Sequence, residues 1–185
     1  MARTSSNMIP LNSVAPSFNL LDTISKKKMS LEHIKGEKAT VIIFMCNHCP
    51  FVIHVIEELV VLANFYQTKG VTFIAISSND VEKQPQDSPD LMREKALESK
   101  YPFPYLYDDS QEIARAYDAA CTPDFYIFNK DLKLKYRGQL DDSRPGNSIE
   151  VSGDDLRNAL DCILENLENV RAQKPSIGCN IKWKN

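Results

Sequence analysis

Long apolar runs are missing from this chain of 185 residues. No stretch approaches the roughly 18 apolar residues of a transmembrane helix, and residues 1–18 lack the apolar core of a secretory signal peptide. The net charge is −3, and no basic run is longer than residues 26–28, so nothing points to nucleic acid or to a membrane surface. We therefore expect a cytoplasmic protein without nucleic-acid or membrane partners.

The cysteines do not suit a disulfide framework, because there are five of them and secreted frameworks usually use an even number. In a reducing compartment, a Cys-x-x-Cys pair is more often catalytic or metal-binding than structural. Cys46 and Cys49 form such a pair, and no second Cys-x-x-Cys or His-x-x-His completes a four-ligand zinc site. Pro50 stands where haem attachment needs histidine. We expect no metal and no cofactor, with a metal-binding module or an inert core pair as alternatives.

The composition is that of a soluble globular protein, with 43% hydrophobic and 25% charged residues. The length suits one domain with its own core. We expect a single domain over residues 1–185, with an irregular lead-in at 1–16. The segment 171–185 is too apolar and varied for a disordered end, so we expect it to pack on the domain.

The stretch VIIFMCNHCPFV, residues 41–52, organises the chain. Residues 41–45 are apolar and rich in β-branched side chains, which predicts a short buried strand. Pro50 suits the first turn of a helix, and apolar residues then recur at helical spacing to about residue 68. The two cysteines are thus expected where a strand passes into a helix.

A helix N-terminus favours a thiolate, which is the nucleophilic form of cysteine. His48 lies between the two cysteines and would add to this effect. Two intervening residues allow the sulfurs to meet across one turn. We predict that Cys46 is the exposed attacking thiol and that Cys49 is the more buried resolving thiol.

The remaining elements predict an α/β fold with a mixed three-layer sheet and helices on both faces. Strand–helix–strand units imply parallel strands, and the short turn at residues 129–131 implies an antiparallel pair. The pattern predicts a hairpin within 18–31, strands at 39–45, 71–77, 105–107, 124–129 and 132–137, and helices at 31–34, 50–68, 88–99, 111–117 and 152–167.

Two motifs of the chain resemble the thioredoxin fold. One is the Cys-x-x-Cys pair, Cys46 and Cys49, where a strand passes into a helix; the other is Thr122-Pro123, which precedes the strand predicted at 124–129. The long lead-in and the insert before residue 121 resemble its peroxiredoxin-like relatives, the alkyl hydroperoxide reductase and thiol-specific antioxidant group. The similarity runs from about residue 10 to residue 170. Residues 45–52, 144–147 and 175–184 resemble a branch of that group with a thioredoxin-type motif.

The resemblance implies roles for individual residues. Cys46 matches the attacking cysteine of thioredoxins. Cys49 matches their resolving cysteine and also falls where peroxiredoxins keep the peroxide-reacting one. Pro123 matches a cis-proline that presents a backbone edge to an incoming thiol substrate. The residues expected to shape the site are Asn47, His48, Pro50, Thr122 and Pro123.

The chain also departs from both patterns. Met45 replaces the thioredoxin tryptophan, and Thr40 stands near the place of the buried aspartate. The peroxiredoxin hydroxyl and proline positions hold Cys46 and Ile42, and no arginine lies near residue 123. Since these groups stabilise charge on a breaking peroxide bond, we do not expect high peroxidase activity. His48 resembles the motif of oxidising disulfide enzymes, which suggests a potential above that of thioredoxin.

Three further cysteines complete the inventory. Cys121 lies two residues before Pro123, and Cys179 lies beside Gly178 in the tail, so both are candidate third thiols; Cys162 is expected in the core. The sequence thus predicts a thiol-disulfide oxidoreductase acting on protein or small-molecule thiols and disulfides. The alternatives are a thiol peroxidase, with Cys49 reacting with peroxides, and a metal-binding module.

Overall fold

The computed structural model describes residues 3–184; the ends of the predicted lead-in and tail, Met1, Ala2 and Asn185, lie outside the described residues. The strands are β1 (Arg3–Ser5), β2 (Asn19–Asp22), β3 (Lys28–Ser30), β4 (Ala39–Phe44), β5 (Val71–Ser77), β6 (Tyr105–Tyr107), β7 (Cys121–Thr122), β8 (Asp124–Asn129), β9 (Leu134–Gly138) and β10 (Ile177–Asn180). The helices are α1 (Leu31–Ile34), α2 (Pro50–Gln67), α3 (Pro89–Glu98), α4 (Glu112–Ala116) and α5 (Asp154–Leu164), with a 3₁₀ helix at Pro85–Asp87.

A mixed seven-stranded sheet forms the body, in the order β3-β2-β6-β5-β4-β8-β9. The central strands β4, β5 and β6 are parallel, as the strand–helix–strand units predict. Strand β8 lies antiparallel to β4 and β9 antiparallel to β8. The predicted α/β class and the N-terminal hairpin of β2 and β3 are confirmed.

The core lies on both faces of this sheet, because alternate residues of a strand point in opposite directions. Val41 and Ile43 of β4 belong to a buried cluster that includes α2 and α5. Ile42 and Phe44 belong to a second cluster, which includes Ala114 of α4. Helices therefore cover both faces of β4, and this strand delivers the Cys-x-x-Cys segment from the middle of the molecule.

A second sheet of three short strands, β1-β10-β7, was not predicted. Its sequences, RTS, CT and IGCN, are too short to show a period of two. They are recognisable as strands only from their pairing, since β10 lies antiparallel to both β1 and β7. Within residues 3–184, no helix combines the length and the apolar character needed to cross a membrane.

Candidate active site

The Cys-x-x-Cys segment connects β4 to α2, as predicted. Strand β4 ends at Phe44, and the backbone N–H of Met45 still donates to the carbonyl of Ile76 in β5. Cys49 is the N-cap residue of α2, and Pro50 occupies the first turn. Proline is tolerated there because a first-turn N–H has no intrahelical partner. The local sequence is thus sufficient to place both sulfurs at a helix N-terminus.

The predicted exposure of Cys46 is wrong. Its relative exposure is 1%, and that of Cys49 is 0%. Both thiols belong to the buried cluster between β4 and α2, together with Cys179 of β10. An external disulfide therefore reaches either sulfur only after part of the surrounding structure moves.

Thr122 and Pro123 approach the two cysteines from β7, where the Thr122–Pro123 peptide bond is cis. The Cys49 sulfur lies 3.1 Å from the carbonyl oxygen of Thr122, which accepts the S–H hydrogen when Cys49 is protonated. The Cys46 sulfur lies 3.5 Å from the Thr122 hydroxyl oxygen. Thr122 thus contacts both thiols, Cys49 through its backbone carbonyl and Cys46 through its hydroxyl.

Asp87 is the site residue that sequence reasoning missed. Its buried carboxylate accepts a hydrogen bond from the backbone N–H of Asn47 at 2.8 Å and another from Nδ1 of His48 at 2.7 Å. Asn79 donates a third bond from Nδ2 at 2.8 Å. A carboxylate only accepts, so His48 carries its proton on Nδ1. That nitrogen is 3.7 Å from the Cys46 sulfur, which makes the contact with Asp87 the stronger one.

Further hydrogen bonds tie this network to the rest of the site. Asn47 donates from Nδ2 to the carbonyl of Gln86 and accepts from the Tyr105 hydroxyl at its Oδ1. Asn79, the partner of Asp87, also accepts the backbone N–H of Lys182 at 2.8 Å. The loop before α3 therefore connects the cysteine segment to the C-terminal tail.

The pKa values of the two thiols are shifted in opposite directions. The pKa of Cys49 is lowered to about 4, mainly by the hydrogen bond from the Cys46 thiol, although burial acts in the opposite direction. Cys179, Thr122 and the N–H of Val52 also favour the Cys49 thiolate. The carbonyl of Thr122 opposes the ionisation of Cys49, because it can only accept a hydrogen bond. Its effect is smaller than the combined effect of the groups that donate to the Cys49 sulfur.

Cys46 behaves in the opposite way. Its pKa is raised by the hydrogen bond to Cys49, then by burial and by the negative charge of Asp87. The reduced pair therefore holds one negative charge on Cys49, with the remaining proton on Cys46. The sequence predicts Cys46 as the activated thiol, whereas the hydrogen bond to Cys49, burial and the charge of Asp87 raise the pKa of Cys46 in the structure.

The other cysteines divide into two groups. Cys121 and Cys179 are buried beside the pair, as expected of candidate third thiols, and burial raises the pKa of each. Cys121 lies next to Asp124, a buried carboxyl whose pKa burial also raises. Cys162 is half-buried on α5 and lines a separate cleft. Only Cys162 is thus remote from the site.

Cys46, His48 and Asp87 offer three ligand atoms that lie within 4.8 Å of one another. Sulfur, nitrogen and carboxylate oxygen are the donors that zinc prefers. Asp87 supplies a ligand that the sequence spacing did not show. Its oxygens are, however, already engaged by Asn47, His48 and Asn79. Metal binding therefore competes with an existing hydrogen-bond network.

The loop at residues 144–147 forms a turn beside the start of α5. Asn147 accepts the backbone N–H of Arg144 at 3.0 Å, and the Arg144 guanidinium donates to the carbonyl of Asp141 at 2.6 Å. The Asp141 carboxylate in turn accepts the backbone N–H groups of Ser152 and Gly153, each at 2.7 Å. These contacts agree with a structural turn.

Gly178 lets β10 lie close to the cis-proline segment. A Cβ at this position would lie 1.9 Å from the carbonyl oxygen of Thr122. We expect Gly178→Ala to destabilise the local packing of β10 by about 1–3 kcal/mol. Native-state alkylation of Cys46 and Cys49 should become roughly 10- to 100-fold faster, because local opening exposes them more often. Ala172→Ser, in the exposed part of the tail, should leave the alkylation rate unchanged. Equal alkylation rates for the two variants would contradict the expectation that the packing of β10 protects the two thiols.

Comparison with known proteins agrees with this fold. The model of the AhpC/TSA family matches residues 11–137, and the chain belongs to that family. The fold is that of thioredoxin-like proteins. A comparison with curated proteins gave no match.

Three solved structures illustrate the likeness. An uncharacterised conserved protein from Geobacillus kaustophilus is 60% identical, with a TM-score of 0.98 over 100% of this chain and 97% of that one. A hypothetical protein from Sinorhizobium meliloti is 41% identical, with a TM-score of 0.95 over 98% of each chain. The thioredoxin domain of a thiol-disulfide oxidoreductase from Bacteroides vulgatus is 19% identical, with a TM-score of 0.63 over 85% of this chain and 99% of that one. The last likeness concerns the fold alone.

Proposed function

We propose that this protein is a thiol-disulfide oxidoreductase that uses Cys46 and Cys49. The observation that carries the proposal is the position of the two thiols at the start of α2, where Thr122, next to the cis-proline, contacts Cys49 with its carbonyl and Cys46 with its hydroxyl. The Cys49 sulfur, whose pKa is about 4, accepts a hydrogen bond from the Cys46 thiol. A thiolate beside a protonated thiol is the arrangement that a dithiol needs for two successive exchange steps.

The proposed reaction begins with the Cys49 thiolate. It attacks one sulfur of a substrate disulfide, and the other substrate sulfur leaves as a thiolate that takes up a proton. Cys46 then loses its proton and attacks the Cys49 sulfur of the mixed disulfide. The Cys46–Cys49 disulfide forms, the second substrate thiol is released, and two electrons have passed to the substrate. Protein or small-molecule disulfides are the proposed substrates, and the reverse reaction oxidises thiols.

The test mixes the reduced full-length protein with oxidised glutathione, quenches it with an alkylating reagent and maps the disulfides by mass spectrometry. We expect a Cys46–Cys49 disulfide and two reduced glutathione molecules per protein. Cys162→Ser serves as the control, because this cysteine lies away from the pair. A wild-type protein that forms no Cys46–Cys49 disulfide would refute the proposal.

A second candidate function is thiol peroxidase. It is favoured by the ionisation of Cys49, the cysteine that the resemblance aligns with the peroxide-reacting position. Its thiolate would attack hydrogen peroxide to form a sulfenic acid and release hydroxide, and Cys46 would condense with the sulfenic acid to give the disulfide and water. Oxidation by peroxide that is much faster than oxidation by oxidised glutathione would favour this function.

A further inference from the structure

A third thiol lies beside the pair, on the C-terminal strand. Cys179 of β10 is paired in register with Thr122 of β7, whose carbonyl oxygen lies 3.1 Å from the Cys49 sulfur. Cys179 is 3% exposed and belongs to the same buried cluster as Cys46 and Cys49. The strand pairing thus carries a cysteine from the end of the chain into the dithiol site.

Cys49 is the central sulfur of the three. It takes part in a side-chain hydrogen bond with Cys46 and in another with Cys179. Each neighbouring thiol donates its proton towards the Cys49 thiolate. Either neighbour is therefore placed to reach Cys49 once that sulfur has been oxidised.

We propose that Cys179 is a third redox thiol that forms a disulfide with Cys49. The inference rests on the proposed oxidoreductase function, because Cys49 must first be oxidised in a Cys46–Cys49 or mixed disulfide. The Cys179 thiolate attacks Cys49, the existing S–S bond breaks, and its electron pair leaves with Cys46 or with the substrate sulfur. That leaving thiolate takes up the proton that Cys179 has lost, so the exchange moves a disulfide without net oxidation.

The charge on Cys49 contributes to the ionisation of Cys179. The pKa of Cys179 is raised to about 12 by burial, and next by its hydrogen bond to Cys49 and by the negative charge there. The last two causes disappear when Cys49 enters a disulfide, because a disulfide sulfur carries no charge. Oxidation of the pair therefore makes Cys179 more acidic and more reactive.

Cys121 is the matched comparison, since it is also buried, at 0% exposure against 3% for Cys179, but is differently placed. Its sulfur lies 3.9 Å from the carbonyl oxygen of Pro123. Cys49 influences Cys121 through its charge, after burial and the charge of Asp124, whereas Cys179 also shares a hydrogen bond with Cys49. We therefore assign the third redox role to Cys179 and use Cys121 as the control.

The test uses the full-length Cys46→Ser variant, reduced and then treated with oxidised glutathione, with disulfides mapped by mass spectrometry after alkylation. We expect glutathione to leave and a Cys49–Cys179 disulfide to form in most molecules. The Cys46→Ser/Cys179→Ser variant should instead keep glutathione on Cys49. The Cys46→Ser/Cys121→Ser variant should behave like Cys46→Ser.

The outcomes separate the two proposals. If Cys46→Ser keeps glutathione on Cys49 and forms no Cys49–Cys179 disulfide, the third-thiol role is refuted, while the Cys46–Cys49 disulfide of the wild type still supports the proposed function. If the wild type forms no Cys46–Cys49 disulfide, the proposed function fails. Should the serine variants not fold, oxidised wild-type protein must contain a Cys49–Cys179 peptide for the inference to stand, and its absence overturns it.

Discussion

Replacing Cys49 with serine is expected to abolish thiol-disulfide exchange and to remove the thiolate from the reduced protein at neutral pH. Cys49 holds the negative charge of the pair because Cys46, Cys179 and Thr122 donate towards its sulfur. Cys46 cannot replace it, since burial and the charge of Asp87 would still raise its pKa. The measurements are the ultraviolet absorbance of the thiolate and the rate of reduction of oxidised glutathione.

Cys162→Ser is the matched control for this variant. The side chain lies on α5 and lines a different cleft, so both the thiolate signal and the exchange rate should equal those of the wild type. If Cys49→Ser kept a thiolate at neutral pH, the charge would reside on Cys46, and the order of attack proposed above would have to be reversed.

The same ionisation predicts a pH dependence. The folded-state pKa of Cys49, about 4, is below the ordinary cysteine value of 9.0. The thiolate therefore stabilises the fold fully above about pH 9, and this contribution is lost as the pH falls towards 4. The first step, attack of Cys49 on a disulfide, should persist down to about pH 4 and then slow as Cys49 is protonated. A thiolate absorbance that is already lost between pH 9 and 7 would contradict the lowered pKa.

Asp87→Asn is expected to have the second-largest effect, and it acts on stability. The carboxylate is fully buried and accepts hydrogen bonds from Asn47, His48 and Asn79. An amide turns one acceptor into a donor and leaves His48 without its charged partner. We expect a loss of about 3 kcal/mol in the free energy of unfolding, which corresponds to a fall of roughly 6–12 °C in Tm for a chain of this size.

The variant has a second readout at the cysteines. The negative charge of Asp87 raises the pKa of Cys46, so its removal should let Cys46 ionise at lower pH. Thermal unfolding measures the stability, and thiolate absorbance measures the ionisation. Glu82→Gln, an exposed change in the same loop, should alter neither; an Asp87→Asn protein as stable as this control would show that the network contributes little.

The local parts of the site were predictable because their signals lie within a few residues. The apolar run before Cys46 predicts β4, and Pro50 with the apolar spacing after it predicts α2. Both elements start where predicted, and each ends one residue earlier than predicted. The mixed α/β class follows from the order of such elements, whereas the thioredoxin-like fold is implied by the resemblance of the Cys-x-x-Cys and Thr-Pro motifs and is shown by the similar solved structures.

The polar partner of the site was not predictable in this way. Asp87 lies in a polar segment with Pro85 and Pro89, a composition that indicates an exposed loop. Its burial depends on donors from Asn47 and Asn79, which the fold brings together from different strand ends. A single sequence carries no period that would reveal such a contact.

By itself, the sequence determined that two cysteines stand between a buried strand and a helix, because strand, turn and helix signals are local. The tertiary structure decided that both thiols are buried, and it lowers the pKa of Cys49 while it raises that of Cys46. It also decided that Cys179 joins them, through the pairing of β10 with β7. The hydrogen bond between Cys46 and Cys49 is local, but the burial of both thiols and the contacts with Thr122, Cys179 and Asp87 come from groups far apart in the chain, which meet only once the sheets have assembled.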